Sequence, residues 1–162
     1  MKNNEEKSYD GVKAFMIARV SDPRQSDALP AQNLRLKAYE AKLKVIGEYY
    51  EFDETAYKED RQKFRGIVEK VYSYPNFCIV VFDKIDRFTR DSGSEERHIL
   101  SAMFKKGLIE LHFPSDNLYI SQDSPAADLF RLEIGMSLAG YYSAAIRDNV
   151  KRRFDQMLDD GM

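Results

Sequence analysis

The stretch FCIVVF, residues 77–82, is an unbroken apolar run in a chain of which 32% is charged. The turn-forming pair Pro75-Asn76 precedes this run, and the polar residue Asp83 follows it. A short apolar run with polar boundaries is typical of a strand that is buried on both faces of a parallel sheet. The stretch therefore predicts the central strand of the fold.

Strand and helix patterns alternate along the rest of the chain. Hydrophobic spacing, with Pro30 as a helix start and Gly107 as a helix end, defines these elements. In chain order, the predicted elements are a strand at Val12–Val20, a helix from Pro30 to Val45, a strand at Glu48–Asp53, a helix at Arg61–Tyr72, the central strand, a helix at Ser94–Lys106 and a strand at Leu108–Phe113. This alternation predicts an α/β three-layer sandwich around a central, mostly parallel sheet of four to five strands.

Polar side chains follow three of the predicted strands. Ser21 follows the first strand, Asp53 ends the second, and the segment 83–90 follows the central strand. The carboxyl ends of parallel strands lie at one edge of the sheet, where α/β proteins collect functional groups. We therefore expect one site that is built from three separate segments of the chain.

Composition restricts the class of protein. With 162 residues, of which 43% are apolar, the chain can bury one ordinary core. Its single cysteine, Cys78, excludes an internal disulfide, and His98 and His112 lack ligand-like neighbours, so neither a metal nor another cofactor is expected. The absence of a leader-like or long apolar segment predicts a cytoplasmic protein without a membrane span.

A long helix is predicted near the end of the chain. From Pro125 onward, apolar residues keep a helical rhythm to the neighbourhood of Phe154. A helix that extends beyond the core of its own domain typically packs against another copy of the chain or leads to a further domain. The expected organisation is therefore a flexible tail at 1–10, an α/β domain at 11–124 and this helix at 125–162.

The run at the end of the first strand, Arg19-Val20-Ser21, suits an attack on a phosphate. A serine hydroxyl is a weak nucleophile until its neighbours activate it, and both Arg19 and Arg24 lie close to Ser21 in the chain. A guanidinium can also contact two phosphate oxygens at once. Taken alone, however, Ser21-Asp22-Pro23 is far more typical of a simple turn, so the interpretation needs support from elsewhere.

A second signature, Asp86-Arg87-Phe88-Thr89-Arg90-Asp91, follows the central strand and supplies that support. Together, the two signatures resemble the catalytic domain of the serine recombinases, the resolvase/invertase family, over about Val12 to Arg153. The residues that carry the resemblance are Arg19-Val20-Ser21, Gln25, Gln32, Asp53, Arg61 and Asp86-Arg87-Phe88-Thr89-Arg90-Asp91. The stretch Ala28-Leu29-Pro30-Ala31-Gln32 and the pair Tyr141-Tyr142 are most similar to the large serine recombinases, which include integrases.

The resemblance implies a resolvase-like fold and a site-specific DNA recombinase. In such an enzyme Ser21 attacks a DNA backbone phosphate to give a 5′-phosphoserine intermediate, and strand exchange and religation follow without a cofactor. The implied partners are double-stranded DNA and further copies of the chain, as a dimer on each site and a tetramer in the synapse, with no membrane and no small-molecule substrate. The implied catalytic residues are Ser21, Arg19, Arg87, Arg90, Asp86, Asp53, Arg61 and Gln25.

The resemblance also assigns a role to each of these side chains. Three arginines, Arg19, Arg87 and Arg90, form the phosphate cradle, and Arg61 adds a further contact. Asp86 protonates the leaving oxygen or orients an arginine, Asp53 organises the arginines, and Gln25 positions the loop around the serine. The helix at 125–162 becomes an oligomerisation and linker helix, and a DNA-binding domain is expected beyond it, because a net charge of −2 supplies little non-specific affinity for DNA.

Other interpretations stay open. An aspartate such as Asp53 at a strand end also suits a receiver-like signalling domain, but that function needs acidic Mg²⁺ ligands at the end of the first strand, where this chain has Arg19-Val20-Ser21. A serine transposase would share the recombinase chemistry. Because Tyr142-Ser143 and Asp148-Asn149 replace Glu-Arg pairs common in the family, a catalytically inactive recombinase-like assembly domain is a further alternative.

Overall fold

The protein is described from a computed structural model, which covers residues 8–20, 28–53, 57–89 and 95–135. The helices and strands, in chain order, are β1 (Lys13–Val20), α1 (Ala28–Leu43), β2 (Ile46–Asp53), α2 (Tyr57–Ser73), β3 (Cys78–Phe82), α3 (Ile85–Thr89), α4 (Glu95–Lys105), β4 (Ile109–Phe113) and β5 (Leu118–Ile120). A 3-10 turn at Pro114–Asp116 joins β4 to β5, and residues 126–135 form a further helix, α5. The expected α/β fold is confirmed.

The five strands form one sheet in the order β2-β1-β3-β4-β5. The first four strands run parallel to their neighbours, whereas β5 pairs with β4 antiparallel. The connection from β4 to β5 is too short for the crossover that a parallel pair requires, so the chain turns back at Pro114–Asp116. Because β2 and β3 lie on opposite sides of β1, the chain changes direction at β1, which creates a crevice between the carboxyl ends of β1 and β3.

Two hydrophobic clusters cover the two faces of the sheet. Successive side chains of a strand point to opposite faces, so Ala14 and Met16 of β1 belong to the cluster that includes α1, and Phe15 and Ile17 belong to the cluster that includes α2 and α4. Each large apolar side chain that is fully buried contributes about 1.5–3 kcal/mol. The strand β3 is buried along its whole length and lies third of five, as FCIVVF predicted.

Two short elements were not expected from the sequence. No element is predicted between the central strand and the helix at Ser94, but α3 lies there, and β5 follows the 3-10 turn. Both elements are too short to show a periodic pattern, and tertiary contacts stabilise them: Phe88 of α3 is fully buried, as are Leu118 and Ile120 of β5. In addition, α2 begins four residues before the predicted start at Arg61.

Gly107 ends α4 as the sequence predicted. Its φ angle of +76° lies in the left-handed region that glycine adopts without strain. Its N–H donates to the carbonyl of Phe104 at 3.0 Å, and the N–H of Leu108 donates to the carbonyl of Met103 at 3.0 Å. These bonds close the helix end and turn the chain directly into β4.

The beginning of the predicted long helix is present as α5. Leu132 is buried in the cluster around α2 and α4, and Leu129 packs against that cluster, whereas Phe130 is 61% exposed. The rest of the helix predicted for 125–162, and most of the tail predicted for 1–10, lie outside the described residues. Among the residues that the structure describes, no helix has both the length and the apolar character needed to cross a membrane.

Candidate active site

The three strand ends singled out in the sequence lie side by side. Val20, the last residue of β1, pairs with Asp53, the last residue of β2, and Ile17 of β1 pairs with Phe82, the last residue of β3. Ser21 comes directly after Val20 in the chain. The sheet topology therefore brings the chain segments of both signatures to one edge, at the crevice where open α/β sheets bind ligands.

Arg19 connects the two signatures directly. Its side chain is only 1% exposed, and its Nη1 group donates a hydrogen bond to the backbone carbonyl of Arg87 at 3.0 Å. The guanidinium also lies over the ring of Phe64 in α2, with 5.2 Å between the guanidinium carbon and the ring centre, which is within cation-π range. The end of β1 is thus tied to α3 and to α2 through one side chain.

The buried side chain of Gln32 in α1 holds the backbone of Arg19. The Arg19 N–H donates to Oε1 of Gln32 at 3.1 Å, and Nε2 of Gln32 donates to the Arg19 carbonyl at 2.9 Å. The pairing of β1 with β3 stops at Ile17, two residues earlier, so a side-chain amide supplies these bonds beyond the last β1–β3 pair. Gln32 is one of the residues that carry the family resemblance, and these two contacts are with backbone groups of β1.

The helix α3 carries the first four residues of the second signature, among them Asp86 and Arg87. Its first N–H group, on Ile85, donates to the carboxylate of Asp116 at 2.6 Å. A carboxylate at this position satisfies a backbone donor that the helix itself leaves without a partner. Phe88 is fully buried against Phe82 and Phe113, with ring centres 5.3 Å and 5.8 Å away. Both ends of this short helix are therefore held by side chains.

Asp83, the first residue after β3, is a buried carboxylate in a partly buried ion pair that the sequence did not predict. Arg35 of α1 donates from Nε and Nη2 to the two carboxylate oxygens at 2.9 Å and 2.7 Å, and the hydroxyl of Ser115 donates at 2.6 Å. Burial works to raise the pKa of Asp83, but the hydrogen bonds from Arg35 and Ser115 outweigh it and leave the pKa below its usual value. Asp83 is therefore a buried carboxylate that is fully paired.

Asp83 begins the polar segment 83–90 that the sequence predicts to be part of the site, but no role was predicted for its own side chain. Its partners lie 48 and 32 residues away in the chain, on α1 and on the 3-10 turn. The sequence did contain one indication of this pairing: Asp83 directly follows a fully apolar strand, and an acidic side chain that is buried needs a partner. Nothing in the pattern identified Arg35 as the partner.

The remaining predicted site residues are only partly covered by the structure. The backbone of Asp53 lies at the carboxyl end of β2, Arg61 lies in α2 three residues before Phe64, and Asp86 is the second residue of α3. Three other predicted residues, Ser21, Gln25 and Arg90, lie outside the described residues. Within the described part of the chain, no cluster of three or more His, Cys, Asp or Glu side chains is arranged to hold a metal ion.

A second buried polar cluster lies on the α1 face of the sheet. The hydroxyl of Tyr39 and Nδ1 of His112 are 2.6 Å apart, Nε2 of His112 lies 3.1 Å from Oε1 of Glu110, and the hydroxyl of Tyr9 donates to that oxygen at 2.6 Å. Burial raises the pKa of Tyr9 and of Tyr39 well above the usual tyrosine value. His112 is therefore a core residue with polar partners on two sides.

By its fold, the protein is a three-layer α/β domain whose polar signature residues lie at the carboxyl ends of the central strands. The family model described as "Resolvase, N terminal domain" matches residues 14–162, and the chain belongs to this family. The predicted resemblance to the serine recombinases is thus confirmed at the level of the family.

Two further comparisons complete this result. A resolvase family site-specific recombinase from Streptococcus pneumoniae, known from a crystal structure, has a similar fold, with a TM-score of 0.55 at 18% sequence identity. That similarity covers 90% of this chain and 97% of the other. A comparison with curated protein sequences found no significant match.

Proposed function

We propose that this domain catalyses DNA strand exchange as the catalytic domain of a site-specific recombinase, with Ser21 as the nucleophile. The observation that carries the proposal is the hydrogen bond from the Arg19 guanidinium to the Arg87 carbonyl. It holds Arg19, two residues before Ser21 in the chain, against α3, which carries Arg87. We infer that a phosphate bound at this edge would contact residues of both signatures. Family membership supports the same conclusion.

The reaction that we propose conserves the energy of the phosphodiester bond. The Oγ atom of Ser21 attacks the phosphorus, an O–P ester bond forms, and the bond from phosphorus to the 3′ oxygen breaks. The serine proton passes to a base or to water, and the 3′ oxygen takes up a proton as it leaves. In the second half, a 3′ hydroxyl from the exchanged strand loses its proton and attacks the phosphorus of the phosphoserine ester. The bond from phosphorus to Oγ of Ser21 breaks, Oγ takes up a proton, and the DNA backbone is restored, so the reaction requires no cofactor.

The arginines have different roles in this proposal. Arg87 is only partly buried, and we assign it to direct contact with the phosphate, together with Arg90 and Arg61. The resemblance places Arg19 in the phosphate cradle as well, but Arg19 is buried and donates to the Arg87 carbonyl. We therefore assign it to adding positive charge near the phosphate and to holding α3. Fixed guanidiniums stabilise the crowded anionic transition state because they need little reorganisation during the reaction.

The acidic and amide side chains complete the site as the family resemblance implies. Asp86 follows the first residue of α3, and we assign it to protonation of the leaving 3′ oxygen or to orientation of an arginine. Asp53 organises the arginines from the end of the neighbouring strand β2, and Gln25 positions the loop that carries Ser21. These roles are part of the proposal and are tested with it.

The fold argues against the receiver-like alternative. An all-parallel sheet in the order 2-1-3-4-5 is the arrangement of the flavodoxin-like folds, to which receiver domains belong. Here β5 is antiparallel and is joined to β4 by a short turn. The end of β1 also carries the arginine Arg19 in place of acidic Mg²⁺ ligands.

The partners in this proposal are double-stranded DNA and other copies of the chain, in the cytoplasm. Phe130 and Ile134 are 61% and 41% exposed and lie four residues apart, on one face of α5. We propose that this face contacts a second copy of the chain, which gives a dimer on each DNA site and a tetramer when two sites meet. The expected further domain would then supply most of the DNA affinity.

The test is a covalent adduct between the full-length protein and DNA. The wild-type protein is incubated with a plasmid that carries the DNA flanking its own gene, and the products are separated under denaturing conditions. We expect a protein joined to the DNA 5′ end, and we expect this adduct to disappear in Ser21→Ala. Ser101→Ala is the matched control, because Ser101 lies in α4 outside the proposed site.

Two results would contradict the proposal. An adduct that persists in Ser21→Ala would show that another residue is the nucleophile. A wild-type protein that binds this DNA but forms no adduct would favour the inactive assembly domain.

A further inference from the structure

We propose that Arg35, Asp83 and Asp116 act together as positioning residues that hold α3, and with it Arg87, in place for phosphate binding. None of the three belongs to the two sequence signatures. The inference rests on the proposed function, because it concerns the placement of an arginine in that same site. It assigns the three residues a role in the rate of cleavage, without direct contact with DNA.

The first part of the argument is the ion pair at the start of the segment. Asp83 is 1% exposed and receives hydrogen bonds from Arg35 and from the hydroxyl of Ser115. Arg35 is about half exposed, so it spans from the protein surface to a buried carboxylate. Paired in this way from two sides, Asp83 fixes the point at which the chain leaves β3, two residues before α3 begins.

The second part is the 3-10 turn that follows β4. The N–H of Ser115 donates to the carbonyl of Asp83 at 3.0 Å, and the carboxylate of Asp116 accepts the N–H of Ile85 at 2.6 Å. A helix as short as α3 gains little stability from its own hydrogen bonds. Its position therefore depends on these contacts at its start and on the burial of Phe88 near its end.

The third part links this support to the site. The carbonyl of Arg87 accepts the hydrogen bond from Arg19, so any movement of α3 changes the distance between the two signatures. A displacement of about 1 Å in a catalytic group can lower a rate by about 100-fold. Loss of the ion pair at Asp83 is thus expected to lower the rate of cleavage, although neither residue contacts the DNA in this proposal.

The experiment uses full-length protein and the same plasmid substrate, with the variants Asp83→Asn, Arg35→Gln and Asp116→Ala. We expect the single-turnover rate of adduct formation at saturating DNA to fall by about 10- to 100-fold, while the affinity for DNA stays within about two-fold. Arg35→Lys keeps a positive charge for Asp83 and is expected to recover part of the rate lost in Arg35→Gln. The double variant Arg35→Gln/Asp83→Asn should lose little more than either single variant, since the two residues act as a unit.

A second measurement follows α3 itself and does not depend on catalysis. Amide hydrogen exchange at residues 85–89 should become faster in Asp83→Asn and in Asp116→Ala. Tyr9→Phe is the matched control, because it removes a hydrogen bond to the buried carboxylate of Glu110 near the opposite, amino-terminal end of the sheet. This variant can lower stability, but it should leave both the exchange at 85–89 and the cleavage rate of the folded protein unchanged.

The outcomes separate the inference from the function on which it rests. If the wild type forms the adduct and all three variants form it at the wild-type rate, the positioning role is wrong and the proposed function stands. If Tyr9→Phe lowers the rate as much as Asp83→Asn, the effect is one of general stability, and the inference is again overturned. If α3 loosens as expected but the wild type forms no adduct, the proposed function fails, and the assigned role in cleavage fails with it.

Discussion

Among single residues, Asp83 shows most clearly how burial and charge combine near this site. A buried carboxylate without partners would be strongly destabilising, and removal of one member of a buried pair usually costs several kcal/mol. Here Arg35 and Ser115 both donate to the carboxylate. The charged form is therefore favoured in the folded protein, and the stability of the fold is coupled to pH through this group.

We predict that part of the folding free energy is lost in acid through Asp83. Its pKa is lower in the folded state than its usual value of 3.8, so the unfolded chain binds the proton more readily. The stabilisation is fully present above that usual value and is lost as the pH falls through the folded-state pKa. Asp83→Asn should lower the free energy of unfolding by about 1.5–3 kcal/mol at pH 7, and its difference from the wild type should shrink below about pH 4.

Urea denaturation of both proteins at pH 7 and at pH 3 measures this effect. Asp123→Asn serves as the control, because Asp123 is exposed in a turn and its substitution should leave the stability unchanged at either pH. An equal gap between wild type and Asp83→Asn at both pH values would show that the charge on Asp83 does not stabilise the fold.

At the scale of secondary-structure elements, the important feature is how α1 is fastened to β1. The buried amide of Gln32 donates to one backbone group of Arg19 and accepts from the other. The neighbouring residue Asn33 also makes a hydrogen bond, to Glu51 at 2.5 Å, but this contact is exposed to solvent. The two adjacent residues of α1 therefore allow a buried contact and an exposed contact to be compared.

We predict that Gln32→Ala lowers the free energy of unfolding by about 2–4 kcal/mol, because each buried backbone group that loses its partner costs about 1–3 kcal/mol. Asn33→Ala should cost less than about 1 kcal/mol, since water replaces the lost partner. Chemical denaturation of the two variants measures the difference directly. Equal losses in the two variants would mean that the Gln32 amide is not what holds Arg19.

At the scale of the whole molecule, α5 packs one side against the core and exposes the other to solvent. Leu132 packs into the core, and Arg131 donates to the carbonyl of Asp116 at 3.1 Å, so α5 is attached to the same turn that holds α3. The opposite side of α5 carries the exposed residues Phe130 and Ile134. An exposed apolar pair at helical spacing is suited to burial against a partner.

We predict that Phe130→Glu weakens self-association of the full-length protein by at least about 10-fold, because apolar and aromatic anchors dominate protein interfaces. Sedimentation over a range of protein concentrations measures the change. Tyr72→Glu is the matched control, since Tyr72 is an aromatic residue on α2 that is 71% exposed. If Phe130→Glu and Tyr72→Glu associate like the wild type, the contact between copies lies elsewhere.

Much of the fold was predictable from hydrophobic patterns alone. The apolar runs at β1 and β3 and the spacing in α2 and α4 are local properties, so their existence and order followed directly from the chain. The convergence of three strand ends at one edge followed as well, because parallel strands end at one edge of a sheet. Gly107 was predictable because few other residues adopt its backbone angle without strain.

The tertiary structure alone decided which side chains meet at that edge. Short elements such as α3 and β5 have no periodic pattern and depend on burial against distant parts of the chain. Likewise, Arg35 reaches Asp83 across 48 residues, and Asp116 binds Ile85 across 31. Hydrophobic periodicity indicates which face of an element is buried. A polar contact between two residues far apart in the chain depends instead on how the elements that carry these residues pack together.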